Sequence, residues 1–96
     1  MANYRLSLKA KTDLNKITKY TIKNFGRPQA SLYREQLETC LSRLVENPHM
    51  GHSVEQAYEG LRAFPHQGHM IYYLMVPTGL FIVRILHHSM DAKRHL

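Results

Sequence analysis

Tyr4-Arg5-Leu6-Ser7-Leu8 alternates apolar and polar side chains, the period of a half-buried strand. From about Lys9 the period lengthens. Leu14, Ile17, Thr21 and Phe25 share one face of a helix with Ile22 beside them, while Lys9, Lys16 and Lys23 recur along another face. Asp13 falls early in this helix, where a negative charge suits the helix dipole. Gly26 ends it as a left-handed cap. Pro28 suits the first turn of a second helix, whose buried stripe is Ala30, Tyr33, Leu37, Cys40, Leu41 and Leu44. Asn47-Pro48 stops that helix, because proline disfavours helical backbone at the residue before it. The connection at Gly26-Arg27 is short, so the helices are expected to pack as an antiparallel hairpin.

The polar stretch from His49 to Gly60 reads as a connecting loop. Leu61 to Phe64 predicts a short strand ending at Pro65. His69 to Val76 and Leu80 to His88 predict stronger strands, rich in Ile, Val, Tyr and Phe, joined by a tight turn at Pro77-Thr78-Gly79. A polar, basic tail runs from Ser89 to Leu96. The order β-α-α-β-β-β predicts an α+β fold, an N-terminal strand and a helical hairpin packed on a small antiparallel sheet. Residues 1–96 are expected to form a single domain.

The last strand is apolar on both faces. Strict alternation puts Phe81, Val83 and Ile85 on one side and Leu80, Ile82 and Leu86 on the other. The strand before it carries Met70, Leu74 and Val76 opposite Ile71 and Met75. Two helices cover only one face of a sheet. The second face, with Leu80 and Ile82 as its exposed residues, is therefore expected to meet a partner. The alternative is that the tail or the long loop folds across it.

A net charge of +6 and a pI near 9.7 favour an acidic partner, either nucleic acid or an acidic protein segment. Cys40, the only cysteine, cannot form an internal disulfide, which fits a reducing compartment, and its place in the stripe marks it as a small core side chain. No apolar run approaches the ~20 residues of a membrane helix. Met1 to Leu8 has no apolar core of signal-peptide length. No membrane association and a cytoplasmic location are expected.

His49-x-x-His52 and His66-x-x-His69 have ligand-like spacing, but they fall in loop or turn regions with no second cysteine and no HExxH helix, so no metal or other cofactor is expected. Arg62, Arg84, His87, Lys93 and Arg94 form a basic set on the strands and tail. A metal-free ribonuclease needs such a set, with a base for the 2′-hydroxyl proton and cations for the phosphate. Arg84 interrupts an apolar strand, so it must reach water, a ligand or a carboxylate such as Glu35 or Glu38 on the second helix. Aromatics are not interleaved with these arginines as single-strand readers require, which argues against direct nucleic-acid binding except through a complex.

The chain resembles the RelE/ParE superfamily of toxin–antitoxin modules, and the ParE branch in particular. The resemblance runs through Ala10-x-x-Asp13-Leu14-x-x-Ile17-x-x-Tyr20, Phe25-Gly26, Gln29-Ala30-x-x-Tyr33 and Leu44-x-x-Asn47-Pro48-x-x-Gly51. It continues in Gly60-Leu61-Arg62-x-Phe64, His69-x-Ile71-x-Tyr73 and Val83-Arg84-Ile85-Leu86-His87-x-x-Met90-Asp91. It implies the fold just described and a partner, a ParD-type antitoxin whose disordered C-terminal part folds over the toxin. ParE-type toxins are associated with poisoning DNA gyrase, and RelE-type relatives cut messenger RNA. The nuclease branch often ends its last strand with a histidine–tyrosine pair. This chain reads His87-His88-Ser89-Met90-Asp91 there, with no tyrosine after Tyr73, which favours a non-catalytic gyrase inhibitor over an endoribonuclease built on Arg62, Arg84 and His87. The residues expected to bind antitoxin or target are Arg62, Tyr73, Leu80, Ile82, Arg84, His87, Lys93 and Arg94. The tail is expected to serve toxicity rather than folding.

Overall fold

A computed structural model describes residues 3–96; the first two residues of the Met1–Leu8 stretch lie outside the described residues. The alternating segment forms β1 (Tyr4–Leu6). Ser7 ends it and caps α1 (Leu8–Phe25): its Oγ accepts from the Ala10 N–H at 2.9 Å and donates to the Val83 carbonyl at 2.7 Å. Gly26, at φ 90°, separates α1 from α2 (Arg27–Glu46), a backbone conformation that favours glycine. A single 3₁₀ turn (Pro48–Met50) leads to β2 (His52–Ser53). β3 (Arg62–His66), β4 (His69–Val76), β5 (Gly79–His87) and the short α3 (Ala92–His95) complete the chain. The sheet order is β1-β5-β4-β3-β2. The α+β architecture and the helical hairpin are as expected. Among the described residues no helix is long and apolar enough to cross a membrane.

Three details of the sheet depart from expectation. β1 runs parallel to β5, so the sheet is mixed rather than antiparallel. The polar loop contributes β2, whose His52 and Ser53 pair with Ala63 and Arg62; two residues carry no period for sequence reasoning to detect. β3 continues through Pro65 to His66. β2 stops opposite Ala63 and Arg62, so Pro65 lies along an unpaired edge, where a missing N–H costs no ladder bond.

A β-bulge has the largest consequence. Tyr72 pairs with Arg84 but Tyr73 pairs with Ile82, leaving Val83 as the extra residue. It reverses the alternation within β5. Leu80, Ile82 and Ile85 all enter the core beneath the helices, with Ile71, Tyr73, Leu37, Leu41 and Leu44. Leu86 turns to the other face. Leu80 and Ile82, expected on an open binding face, are 3% and 0% exposed. They hold the hairpin to the sheet and offer nothing to a partner. Tyr73, also 0% exposed, is corrected in the same way.

The second face is covered in part by the chain itself. Leu61, Ala63, Tyr72 and Leu86 form a second cluster, packed by Val54 and Ala57 from the loop and Ala92 from the tail. Loop and tail fold across part of the sheet there, as the alternative expected. The tail is thus part of the fold, because Arg84 donates a hydrogen bond to the His95 carbonyl. A chain ending at Asp91 would lose both that bond and Ala92.

Candidate functional site

Beyond Ile82 the edge of β5 away from β4 has no strand beside it among the described residues, because β1 ends there. Asp13, in the second turn of α1, takes that place. Its Oδ2 accepts from the Ile85 N–H at 3.0 Å and from Arg84 Nε at 2.8 Å, and its Oδ1 accepts from Arg84 Nη2 at 2.8 Å. The fork is bidentate and nearly buried, with the side chains 14% and 9% exposed. Arg84 therefore does meet a carboxylate, but on the first helix rather than at Glu35 or Glu38. Asp13 faces inward instead of serving the dipole of the first turn, which holds no acidic residue. The hydrogen bond to Asp13 raises the pKa of the guanidinium further above its ordinary value.

Next to this pair a groove of about 630 Å³ opens between the C-terminal half of α1, the start of α2 and the ends of β4 and β5. Tyr20, Phe25 and Tyr33 supply aromatic walls, and Lys16, His69 and His87 supply nitrogen. Tyr20 and Phe25 are 64% and 67% exposed. Phe25, which shares one face of α1 with Leu14 and Ile17, is the last residue of the helix and stands clear of the core. Asp13 is the one carboxylate among the residues lining the groove, and Arg84 already neutralises it. The groove is therefore apolar and net cationic.

Histidines gather at its far end. His69 Nδ1 lies 3.3 Å from the Tyr33 hydroxyl. Ring centroids are 5.7 Å apart for His69 and His87, and 4.3 Å apart for His87 and His88. His66 stacks near Tyr33 at 5.5 Å. Burial pulls His69 below the ordinary histidine range, a hydrogen bond with the Gln67 backbone opposes it, and the neighbouring His87, His66 and His88 add to the depression. Burial also lowers His66. Burial, with a smaller contribution from Cys40, pushes the Tyr33 phenol up to about 12. Since His66 and His69 hold protons less well folded than unfolded, acid favours the unfolded chain. Their contribution is complete above the unfolded value of about 6.5 and declines as pH falls through it. The melting temperature is expected to fall between pH 7.5 and 5.5, and His69→Gln to flatten that fall, as read by circular dichroism.

The other sequence-predicted residues scatter. Arg62 donates to the Gly51 carbonyl and, at 3.2 Å, to the His49 carbonyl. The Tyr73 hydroxyl donates to the Pro48 carbonyl at 2.6 Å and accepts from the Gly51 N–H at 3.0 Å. Both hold the turn after α2, and any Cβ at Gly51 would collide with that hydroxyl. Lys93 and Arg94 are exposed on α3. Arg84 and His87 line the groove but Arg62 does not, so the ribonuclease trio is not assembled there. Burial raises the Cys40 thiol, with Arg43 opposing, so nothing activates it as a nucleophile. Among the described residues no group of three or more His, Cys, Asp or Glu side chains is placed to hold a metal ion. Sequence reasoning missed Lys16, Tyr20, Phe25, Tyr33 and His69 as groove residues. One usable signal was Tyr20, an aromatic on the border between the lysine face and the apolar face of α1.

Residues 4–92 match the family model described as the ParE toxin of the type II toxin–antitoxin system parDE. The chain is 36% identical over 96 residues to Toxin ParE1 of Caulobacter vibrioides, covering 100% of this chain and 99% of that protein. It is 30% identical to Toxin ParE1 of Mycobacterium tuberculosis, covering 99% and 98% of the two chains. Toxin ParE of Escherichia coli is 28% identical, with 100% and 94% covered. The solved structure titled "Chromosomal ParDE TA system from P. aeruginosa" superposes with a TM-score of 0.74, covering 91% of this chain and 96% of that one. At 20% identity that likeness speaks for the fold.

Proposed function

We propose that this chain, which belongs to the ParE toxin family of type II toxin–antitoxin systems, is held inactive by a ParD-type antitoxin seated in the groove beside Arg84 and, once released, inhibits DNA gyrase in the cytoplasm without catalysis of its own. The observation that carries the antitoxin reading is the composition of the groove. Its exposed aromatics, Tyr20 and Phe25, suit the apolar anchors of a segment that folds on binding. Its cation Lys16, outside the Arg84–Asp13 pair, suits an acidic side chain of that segment. Against a nuclease stand the separation of Arg62 from Arg84 and His87, and the absence of a tyrosine after Tyr73.

Expression without the antitoxin is expected to arrest growth as filamentous cells whose DNA synthesis stops first. Purified toxin is expected to inhibit gyrase supercoiling of plasmid DNA or trap it as cleaved complexes, and added antitoxin to reverse this. Loss of ribosome-bound messenger RNA before any change in DNA synthesis would overturn the gyrase reading in favour of the ribonuclease.

A further inference from the structure

We propose that the outer face of α1 is a docking surface for duplex DNA, made by Lys9, Lys16, Lys19 and Lys23. At 100° per residue these four lysines fall within about 80° of the helix surface, roughly opposite Ala10 and Leu14 in the core, and their backbones span about 21 Å along the axis. All four are exposed, and among the described residues none is ion-paired. α1 carries five lysines and one acid, Asp13, which is buried and already paired with Arg84. The exposed charges of the helix are therefore all positive.

A merely solvated helix face mixes both signs. α2 is such a face in the same molecule, where Arg27, Arg34 and Arg43 are interspersed with Glu35, Glu38 and Glu46. The contrast on α1 asks for a partner that is anionic along its length. Protein interfaces are depleted in lysine and built around aromatic, methionine and arginine anchors. The charges of the α1 stripe are lysine alone, with Thr12 among them, whereas the groove has the aromatics. Lysine presents a flexible point charge, suited to phosphate without base readout. Duplex DNA carries a charge every ≈ 1.7 Å of axis, so a 21 Å row lies over roughly a dozen phosphates. Single strands are bound by stacking platforms between the cations, and here the one aromatic near the stripe, Tyr20, lies on the groove side. The expectation against direct nucleic-acid contact came from the strands and tail, and this surface lies on neither. It is independent of the antitoxin groove except at Lys16, which borders both.

The test measures anisotropy of a fluorescein-labelled 20-base-pair duplex titrated with the full chain at several salt concentrations. Four phosphate contacts give a slope of about −3.6 in log affinity against log salt, a loss of about 50-fold between 50 and 150 mM. The variant Lys9→Gln/Lys19→Gln/Lys23→Gln, which leaves Lys16 in place, is expected to drop to a slope near −0.9 and a loss of about threefold. Its melting temperature and its antitoxin affinity should match the parent's. An unchanged slope in the variant overturns the proposal. So does tighter binding to a single-stranded oligonucleotide than to the duplex, or to polyglutamate than to DNA. A variant that loses antitoxin instead of DNA shows the stripe to be part of the protein interface and overturns it equally.

Discussion

Asp13→Ala is expected to lower the unfolding free energy by about 3 kcal/mol, since removing one partner of a buried pair typically costs about 3–5. The loss has two sources. The Arg84 guanidinium, 14% exposed, keeps its charge with no carboxylate to meet it. The Ile85 N–H, on an edge that β1 does not reach, loses its acceptor, at a cost of about 1–3 kcal/mol for a buried group. The two terms overlap, and the partial exposure of the pair argues for the lower end of the range. A domain of this size has only about 5–15 kcal/mol in total. At about 4–8 °C per kcal/mol the melting temperature should fall by roughly 12–24 °C. Asp13→Leu/Arg84→Met should lose less than Asp13→Ala, because no charge is stranded. Urea unfolding of the three proteins decides the matter. A single variant within about 0.5 kcal/mol of the parent would show the fork to behave as an exposed ion pair.

That fork marks where the sequence stops being legible. Residues thirteen and eighty-four lie on different elements, and nothing local in either segment selects the other. Arg84 could be read as needing water, a ligand or a carboxylate because a charge interrupting an apolar strand cannot be buried alone. Which carboxylate depended on how far α1 slides along β5, a tertiary quantity. The α2 stripe, in contrast, was readable because every member from Ala30 to Leu44 obeys one local period, and all are buried or half-buried. The faces of β5 were misassigned for one reason. Alternation holds only in an unbroken ladder, and Val83 breaks it. No residue there announces a bulge, since valine is an ordinary strand former. The Ser7 hydroxyl that accepts from Ala10 and donates to the Val83 carbonyl helps hold the bulge, and it lies some seventy-six residues away in sequence. Coverage of the second face was illegible in the same sense. Val54, Ala57 and Ala92 are single small apolar residues in polar surroundings, too sparse to make a pattern. The groove emerges only once Phe25, on one face with Leu14 and Ile17 by its spacing, is seen to stand beyond the core.

Tyr20→Ala/Phe25→Ala is expected to weaken antitoxin binding by about 100-fold while melting within a few degrees of the parent. The fold tolerates the change because both side chains are mostly exposed, at 64% and 67%, and neither belongs to the buried core. Binding does not, because exposed aromatics beside a groove are the side chains that become fully desolvated when a partner segment folds over them. Truncating an interface anchor of this kind costs about 2 kcal/mol or more, and such losses are not additive. A combined cost near 2.8 kcal/mol corresponds to the stated 100-fold. Lys16→Glu tests the electrostatic half of the same surface. Lys16 lies at the groove with no ion-pair partner among the described residues, so reversing its charge should slow association and flatten the salt dependence more than it speeds dissociation. Met75→Ala provides the comparison, since Met75 is 45% exposed on β4 and does not line the groove. Its affinity should match the parent's. Calorimetric titration of each folded variant with the ParD-type antitoxin gives the affinities, and stopped-flow mixing gives the rates. If the double variant binds as tightly as the parent while Met75→Ala does not, the antitoxin lies toward the C-terminal end of β4 and the groove has another occupant.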